Sequence, residues 1–218
     1  MKRLVLLLGL VIVLAGCQKQ LPDFAVLKVT DNADVAVQFG DKLLLKTTDG
    51  DVSDEYVLDG DSLIISGNAD VILTVPQDKI SMISTLVVDG EADLVFDTTV
   101  VWTFENGLIV NVGTDGDLYL RLAAPFAKFN LSGNSDLYVT GDTCTSVTLV
   151  ATDNSTLHAL NFQVKDYEID VSGEADAYLY ATNSISGTVK DDATVEYKGT
   201  PDTSQVTVSD NASLIHYE

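Results

Sequence analysis

Aspartate side chains recur in this sequence at one fixed place in a repeated nine-residue phrase. The consecutive candidates for a site are Asp70, Asp93, Asp117 and Asp136. Carboxylates stacked about 4.8 Å apart on neighbouring strands repel one another, and an oxygen-preferring cation such as Ca²⁺ would relieve that repulsion. The alternative is that each Asp caps its own bend and faces water, where screening keeps the repulsion small. We favour the second interpretation and therefore predict no metal site and no cofactor.

Paired carboxylates could also cleave glycosidic bonds, which requires two acids about 5 to 10 Å apart. Because the chain has 33 acidic residues, some pairs meet that spacing by chance, and no pair stands out. The two histidines, His158 and His216, lack Cys or Glu neighbours at metal-ligand spacing, so we predict surface or core-edge positions for both. The sequence thus predicts no catalytic residue and no enzyme. An enzyme that acts on surface polysaccharide through such carboxylates is the alternative function.

Three tyrosines occupy the eighth position of the phrase, where the side chain should point outward from the strand. They are Tyr119, Tyr138 and Tyr178. A row of exposed tyrosines would suit a carbohydrate or a protein partner from the envelope. Aromatic packing between neighbouring coils would place the same residues in the same row. The sequence leaves both interpretations open.

The first residues predict export and a lipid anchor. Residues 1–16 combine a basic start with a short apolar run, as in a secretory signal peptide, and the run ends in Leu14-Ala15-Gly16-Cys17. This ending resembles the bacterial lipobox, in which the Cys is diacylated and becomes the mature N-terminus. We therefore predict lipidation at Cys17, a lipidated tether at residues 17–23, and a chain that is held on a membrane without spanning it.

The residue after the predicted lipidated cysteine indicates which membrane the protein reaches. Because Gln18 rather than Asp follows Cys17, we predict the outer membrane of a Gram-negative bacterium. The second cysteine, Cys144, has no disulfide partner once Cys17 carries lipid, and we predict an inert, small apolar residue.

The net charge restricts the partners. There are 33 Asp and Glu residues against 12 Lys and Arg residues, and two of the basic ones, Lys2 and Arg3, fall in the signal peptide. Such a surface repels phosphate backbones, which makes nucleic acid an unsuitable ligand.

The phrase itself predicts the architecture that positions these residues. Its nine copies start at Val29, Ile65, Val88, Val112, Leu131, Ala151, Val171, Val189 and Val208. The starts are 36, 23, 24, 19, 20, 20, 18 and 19 residues apart, and periods in this range indicate a solenoid or array. A propeller is less suitable because each blade needs about 40 residues.

Each position of the phrase has a physical meaning. The first and seventh positions are apolar, whereas the sixth holds Asp, Thr or Ser, whose oxygens bond to nearby backbone groups in turns. The third alternates Gly with Asp or Thr, which suits a bend. The fifth accepts only Ala, Gly or Ser, as expected at an inside corner between closely stacked coils. The sequence therefore predicts an all-β fold, a single-stranded parallel β-helix (β-solenoid) of roughly ten coils over residues 24–218.

The two ends of the predicted rod differ. Residues 24–63 contain the longest gap between copies, so we predict an irregular N-terminal cap with the first coils there, and one degenerate copy within residues 42–63. The chain stops on the strand Leu214-Ile215-His216-Tyr217-Glu218, which resembles the repeat strands. Since an uncovered solenoid end is a sheet edge that can pair, self-association through this C-terminal coil is a further hypothesis.

The repeated phrases resemble a known bacterial family. The Ser-Gly-x-Ala-Asp phrases at Ser66 and Ser172, the variant at Ser132, and the ending Val195-Glu196-Tyr197-Lys198-Gly199-Thr200-Pro201 are similar to the "putative auto-transporter adhesin, head GIN domain" family. The resemblance covers roughly residues 24–218. It implies a right-handed β-helix exported to the cell envelope and an adhesin-like or structural binding role, and it implies no catalytic residue.

Overall fold

The fold is almost entirely β-structure. The computed structural model describes residues 18–47 and 55–217; the predicted signal peptide, the predicted lipidation site Cys17 and residues 48–54 lie outside this part. The first ten strands are β1 (Gln18–Gln20), β2 (Val26–Val29), β3 (Asp34–Phe39), β4 (Leu44–Thr47), β5 (Tyr56–Asp59), β6 (Ser62–Ile65), β7 (Asp70–Val75), β8 (Thr85–Val88), β9 (Asp93–Phe96) and β10 (Trp102–Thr103). A 3₁₀ helix, Gln77–Met82, lies between β7 and β8.

The remaining strands are longer and more regular. They are β11 (Leu108–Val112), β12 (Asp117–Ala123), β13 (Phe126–Leu131), β14 (Asp136–Gly141), β15 (Cys144–Ala151), β16 (Thr156–Val171), β17 (Asp176–Val189), β18 (Thr194–Lys198), β19 (Asp202–Val208) and β20 (Ser213–His216). From β11 to β17, buried residues mostly alternate with more exposed ones, which is the period of a strand with one face in a core.

Parallel pairing between successive coils makes the molecule a β-solenoid, as predicted. One ladder joins β8, β11, β13, β15, β16, β17 and β19 in chain order, and the other joins β9, β12, β14, β16, β17, β18 and β20. The solenoid has about seven turns rather than the roughly ten that the sequence predicted. Part of the difference arises at the N-terminal end, where β4 and β5 pair antiparallel instead of forming a parallel coil.

The N-terminal strands stack out of chain order. Strand β2 lies between β6 on one side and β8 on the other, so the copy at Val29 separates the copies at Ile65 and Val88. The predicted degenerate copy within residues 42–63 is wrong. Strands β4 and β5 in this region instead pair antiparallel with β7 and β6 and cover the edge of the first coil. Covering the edge in this way satisfies backbone N–H and C=O groups that could otherwise pair with another chain.

The predicted tether is shorter than expected. Strand β1 pairs antiparallel with β4, and the next side chain, Leu21, is only 5% exposed. Burial of Leu21 and Phe24 under the cap holds the chain against the solenoid from Gln18 onward. The predicted β-helix began only at residue 24.

The core is a column of stacked apolar side chains, one layer for each coil. The first and seventh positions of the phrase supply Val88, Leu94 and Leu137, each 0% exposed. The small fifth position is buried in eight of the nine copies, the exception being Ala212 in the last coil, and where Ser replaces Ala the hydroxyl finds a backbone acceptor. Ser135 donates to Val112 O at 3.2 Å and Ser155 to Thr152 O at 2.8 Å. These bonds remove the cost of burying a hydroxyl.

The third position of the phrase forms the bend, with φ between 57° and 82° in all nine copies. Along the stack, glycine largely alternates with Asp or Thr for a specific reason. The backbone N–H of a glycine donates to the Asp carboxylate of the adjacent coil, at 3.1 Å for Gly67 with Asp31 and 3.2 Å for Gly133 with Asp153. On its other side, Gly133 packs so closely on Thr114 that a Cβ would overlap the Thr114 carbonyl oxygen. The alternation is therefore set by contacts between coils.

Candidate functional site

An aromatic ladder runs along one face of the rod. Strand pairing brings Tyr119, Tyr138, His158 and Tyr178 into register at the eighth position of the phrase. Their rings stack nearly parallel, with centroid separations of 4.4, 4.3 and 5.5 Å in chain order. The rings cover one another's faces and leave their edges partly exposed. Packing between coils is therefore the interpretation that the structure supports for the three tyrosines, and His158 is a fourth member that the sequence analysis left apart.

Burial shifts the pKa values of the ladder residues toward their neutral forms. Burial raises the pKa of Tyr119 and of Tyr138, and the adjacent carboxylates Asp117 and Asp136 raise both further. Burial lowers the pKa of His158, and Asp136, whose Oδ1 lies 4.0 Å from His158 Nε2, offsets part of that shift. Tyr138 Oη also donates to Asp136 Oδ2 at 3.4 Å.

A groove of about 430 Å³ opens beside the ladder. Its walls combine the two tyrosines at the N-terminal end of the ladder with hydroxyl, amide and guanidinium groups. The residues that matter for its chemistry are Thr98, Tyr119, Arg121, Tyr138, Thr140 and Asn161. None of these carries a carboxylate.

One wall of the groove is a short loop between β9 and β10. Within this loop Asp97 Oδ1 accepts from the backbone N–H and the hydroxyl of Thr99, at 2.9 and 2.6 Å. The indole N–H of the buried Trp102 donates to Asp97 O at 3.0 Å. These bonds fix the loop against the core, and the loop accounts for part of the 24-residue spacing between the copies at Val88 and Val112.

The opposite wall depends on an irregularity in a strand. The register between β14 and β16 shifts after Tyr138, so that Thr140 faces Asn161. A bulge of this kind re-aims side chains at the edge of a regular ladder. Gly141 follows directly, and a Cβ there would overlap Leu122 O, so the backbone at this corner must lie against the neighbouring coil.

Arg121 is the only arginine of the chain apart from Arg3 in the predicted signal peptide. Its Nη1 donates to Thr99 O at 3.5 Å, a long bond. In residues 18–47 and 55–217 no carboxylate forms an ion pair with Arg121. We did not select this residue from the sequence, where acids, histidines and aromatics were the candidates. The signal was present in the sequence as one arginine in a strongly acidic chain.

The aspartate column is in register, but its order differs from the prediction. Asp34 pairs with both Asp70 and Asp93, so these two predicted neighbours are one coil further apart. Asp117 and Asp136 continue the column. Across the described ranges, no group of three or more His, Cys, Asp or Glu side chains is placed to hold a metal ion.

The other candidates have structural surroundings. Cys144 is free and 3% exposed, its thiol donates to Ser146 O at 3.3 Å, and burial raises its pKa. Such a thiol is a poor nucleophile because little of it is ionised. His216 stacks on Tyr197 at 5.1 Å and its Nε2 lies 2.8 Å from Gly199 O. Its strand, β20, is three pairings away from β16, the nearest strand that lines the groove.

Comparison with known proteins identifies the family. The family model described as "Putative auto-transporter adhesin, head GIN domain" matches residues 23–201. The chain belongs to this family. A second model, described as a prokaryotic membrane lipoprotein lipid attachment site, matches residues 1–18. The chain is thus a lipid-anchored envelope protein of this family, and the part of it that the structure describes has no helix long and apolar enough to cross a membrane.

Solved structures share the fold at low sequence identity. A putative adhesin from Bacteroides fragilis is 15% identical, with a TM-score of 0.71 over 92% of this chain and 95% of that one. A putative adhesin from Parabacteroides merdae is 12% identical, with a TM-score of 0.65 over 94% and 96%. A protein from Parabacteroides distasonis described as a putative lipid binding protein is 13% identical, with a TM-score of 0.61 over 93% and 96%. No curated protein matches the chain.

Proposed function

We propose that this protein is a non-catalytic, adhesin-like binding module, held on the outer membrane by lipid on Cys17, and that it binds envelope polysaccharide. The observation that carries the proposal is the groove beside the aromatic ladder. A groove lined by tyrosine edges and by hydroxyl and amide groups suits a ligand rich in hydroxyls. The adhesin descriptions of the family and of its structural neighbours agree with a binding role.

The groove is also better suited to holding a glycan than to cleaving one. Glycosidases of the common kind use two carboxylates that flank the scissile bond. The polar groups that line this groove are those of Thr98, Arg121, Thr140 and Asn161 together with two phenols. These groups donate and accept hydrogen bonds but offer no carboxylic acid and no carboxylate at the position of a bound sugar.

The proposal predicts retention without cleavage. The purified lipid-anchored chain in detergent micelles is immobilised and screened against bacterial surface polysaccharides, with both the bound fraction and the ligand chain length measured. We expect at least one polysaccharide to be retained with its length unchanged. The double variant Thr140→Ala, Asn161→Ala should lose most of the retention, whereas Lys128→Gln, at an exposed position of β13, should keep it. Shortening of the ligand, or no retention by the unaltered chain, would contradict the proposal.

A second partner is another copy of the same chain, joined through the last coil. Val208 is 43% exposed, although Val88, Val171 and Val189 at the same position of the phrase are 0% exposed. Ile215 on β20 is 45% exposed, and the outer edges of β19 and β20 pair with no strand in the described residues. An apolar edge with free backbone groups can pair with a second edge.

The self-association hypothesis predicts a mass that depends on Ile215. Light scattering of the chain in micelles of known mass should give a dimer that dissociates on dilution. Ile215→Lys should give monomers with an unchanged melting temperature, because a charge on an exposed edge strand prevents pairing. A strict monomer at all concentrations, unaffected by the substitution, is the result that would exclude this partner.

A further inference from the structure

We propose that Arg121 receives the carboxylate of a terminal acidic sugar, a uronic acid, so that the groove selects acidic glycans. This inference rests on the proposed function, because it names the ligand class for the same groove. Arg121 lies on β12 two residues after Tyr119, and both residues line the groove.

The guanidinium of Arg121 has unused hydrogen-bonding capacity. A guanidinium has five N–H donors in a planar fork. The described part of the chain engages it through a single 3.5 Å bond to Thr99 O, and no carboxylate there pairs with it. This is unexpected in a chain with 33 acidic residues, where a surface arginine would readily find an acidic neighbour. The remaining donors are therefore available to a ligand.

The available N–H donors of the Arg121 guanidinium determine which chemical group of a ligand can bind there. A planar guanidinium matches a carboxylate, with which it forms two parallel charge-assisted hydrogen bonds. Around it, Thr98, Thr140 and Asn161 supply hydroxyl and amide groups that can both donate and accept. A sugar ring presents hydroxyls at similar spacing around its edge. A uronic acid combines both features in one residue, with a carboxylate for Arg121 and hydroxyls for the other side chains.

The charge of the protein limits the ligand to a single acidic sugar. The formal net charge is −21 at pH 7, and Asp97 in the groove loop and Asp142 after Gly141 are close to the groove in sequence. A polyanion would place its further charges against this acidic surface, which repels them. One arginine can neutralise one carboxylate. The site therefore fits a terminal or isolated uronic acid and not a continuous polyanion or nucleic acid.

The test uses two probes that differ only at the carboxylate. Methyl β-glucuronide and methyl β-glucoside are titrated into the lipid-anchored chain in micelles, and binding is followed by saturation-transfer NMR. We expect the glucuronide to bind about tenfold more tightly, the size of effect that one good charge-assisted pair provides. Arg121→Gln should reduce the ratio of the two affinities to about one. Lys128→Gln removes the same charge from another strand and should leave the ratio unchanged.

Two further measurements make the outcome decisive. Arg121→Lys keeps the positive charge but loses the planar pair of N–H donors. An affinity ratio between those of the unaltered chain and Arg121→Gln would therefore support bidentate recognition. Melting temperatures should be equal for all variants, because Arg121 is partly exposed. Equal affinity for the two probes, or a preference that survives in Arg121→Gln, would overturn the inference. If polysaccharide is still retained in the screen, the proposed function stands and only the acidic specificity fails.

Discussion

Gly133→Ala is expected to lower the free energy of unfolding by roughly 3 kcal/mol or more. Two costs contribute. Alanine at φ 74° adopts a left-handed conformation, which costs about 1–2 kcal/mol. The new Cβ would also overlap the Thr114 carbonyl oxygen and lie 2.7 Å from Thr114 Cα, so two coils must separate, and overpacking of this kind costs about 1–3 kcal/mol.

Gly67→Ala is the matched control for this prediction. Gly67 has φ 79°, and its N–H donates to Asp31 at 3.1 Å, as the N–H of Gly133 donates to Asp153 at 3.2 Å. Among the described residues, no atom lies within 4 Å of a Cβ built at Gly67. The control therefore carries the conformational cost alone, about 1–2 kcal/mol.

Urea denaturation followed by circular dichroism measures both variants. If the contact between coils sets the requirement for glycine, Gly133→Ala must be the more destabilised by roughly 1–3 kcal/mol. Equal losses would mean that backbone conformation alone explains the glycines, and the alternation along the stack would then need another cause.

The sequence was sufficient to predict the solenoid and the role of most positions in the phrase. Apolar residues such as Val88 and Leu137 and the small residues such as Ser135 are buried where the columns placed them. These features are predictable because a solenoid core imposes the same requirement on every coil, so one weak signal is repeated nine times. The bend at the third position was predictable for the same reason.

The order of the N-terminal coils was not predictable from the phrase. Any copy can pair in parallel with any other, because all copies present the same backbone edge and the same apolar positions. Nothing in the phrase at Val29 therefore indicates that it stacks between Ile65 and Val88. The antiparallel pairing of β4 and β5 was hidden for a related reason, since alternation along a short strand is the same in both pairing directions.

The candidate site was only partly predictable. The tyrosine row was visible in the columns, but its geometry was not, because stacking and exposure both follow from the same position. The groove depends on a loop fixed by Asp97 and on the register shift that brings Asn161 opposite Thr140. Both features depart from the repeat. Comparing the copies position by position shows only what they share, so such departures are not visible in it. Arg121 itself was visible as an isolated basic residue, but only the groove gives it a role.

Trp102→Ala is expected to have the largest effect of any single substitution at the groove, a loss of about 3–5 kcal/mol in the free energy of unfolding. Trp102 is 0% exposed and stacks on Phe39 with a centroid separation of 4.0 Å, while Phe96 meets its edge at 5.0 Å. Removing the indole leaves a cavity between the N-terminal coil and the coil that carries the groove loop. The loss is measured by urea denaturation of the lipid-anchored chain, and a loss below about 1 kcal/mol would contradict the packing argument.

Trp102→Phe separates packing from loop positioning. Phenylalanine keeps an aromatic ring against Phe39 but cannot donate to Asp97 O, so we expect a smaller loss, of about 1–2 kcal/mol. The groove loop would lose its bond to the core, and Thr98 and Thr99 would no longer be held beside Arg121. Retention of polysaccharide should therefore fall in Trp102→Phe by more than its modest loss of stability explains, since nearly all of the protein stays folded. Full retention in this variant would show that the loop needs no anchor, and that the groove is formed by β12, β14 and β16 alone.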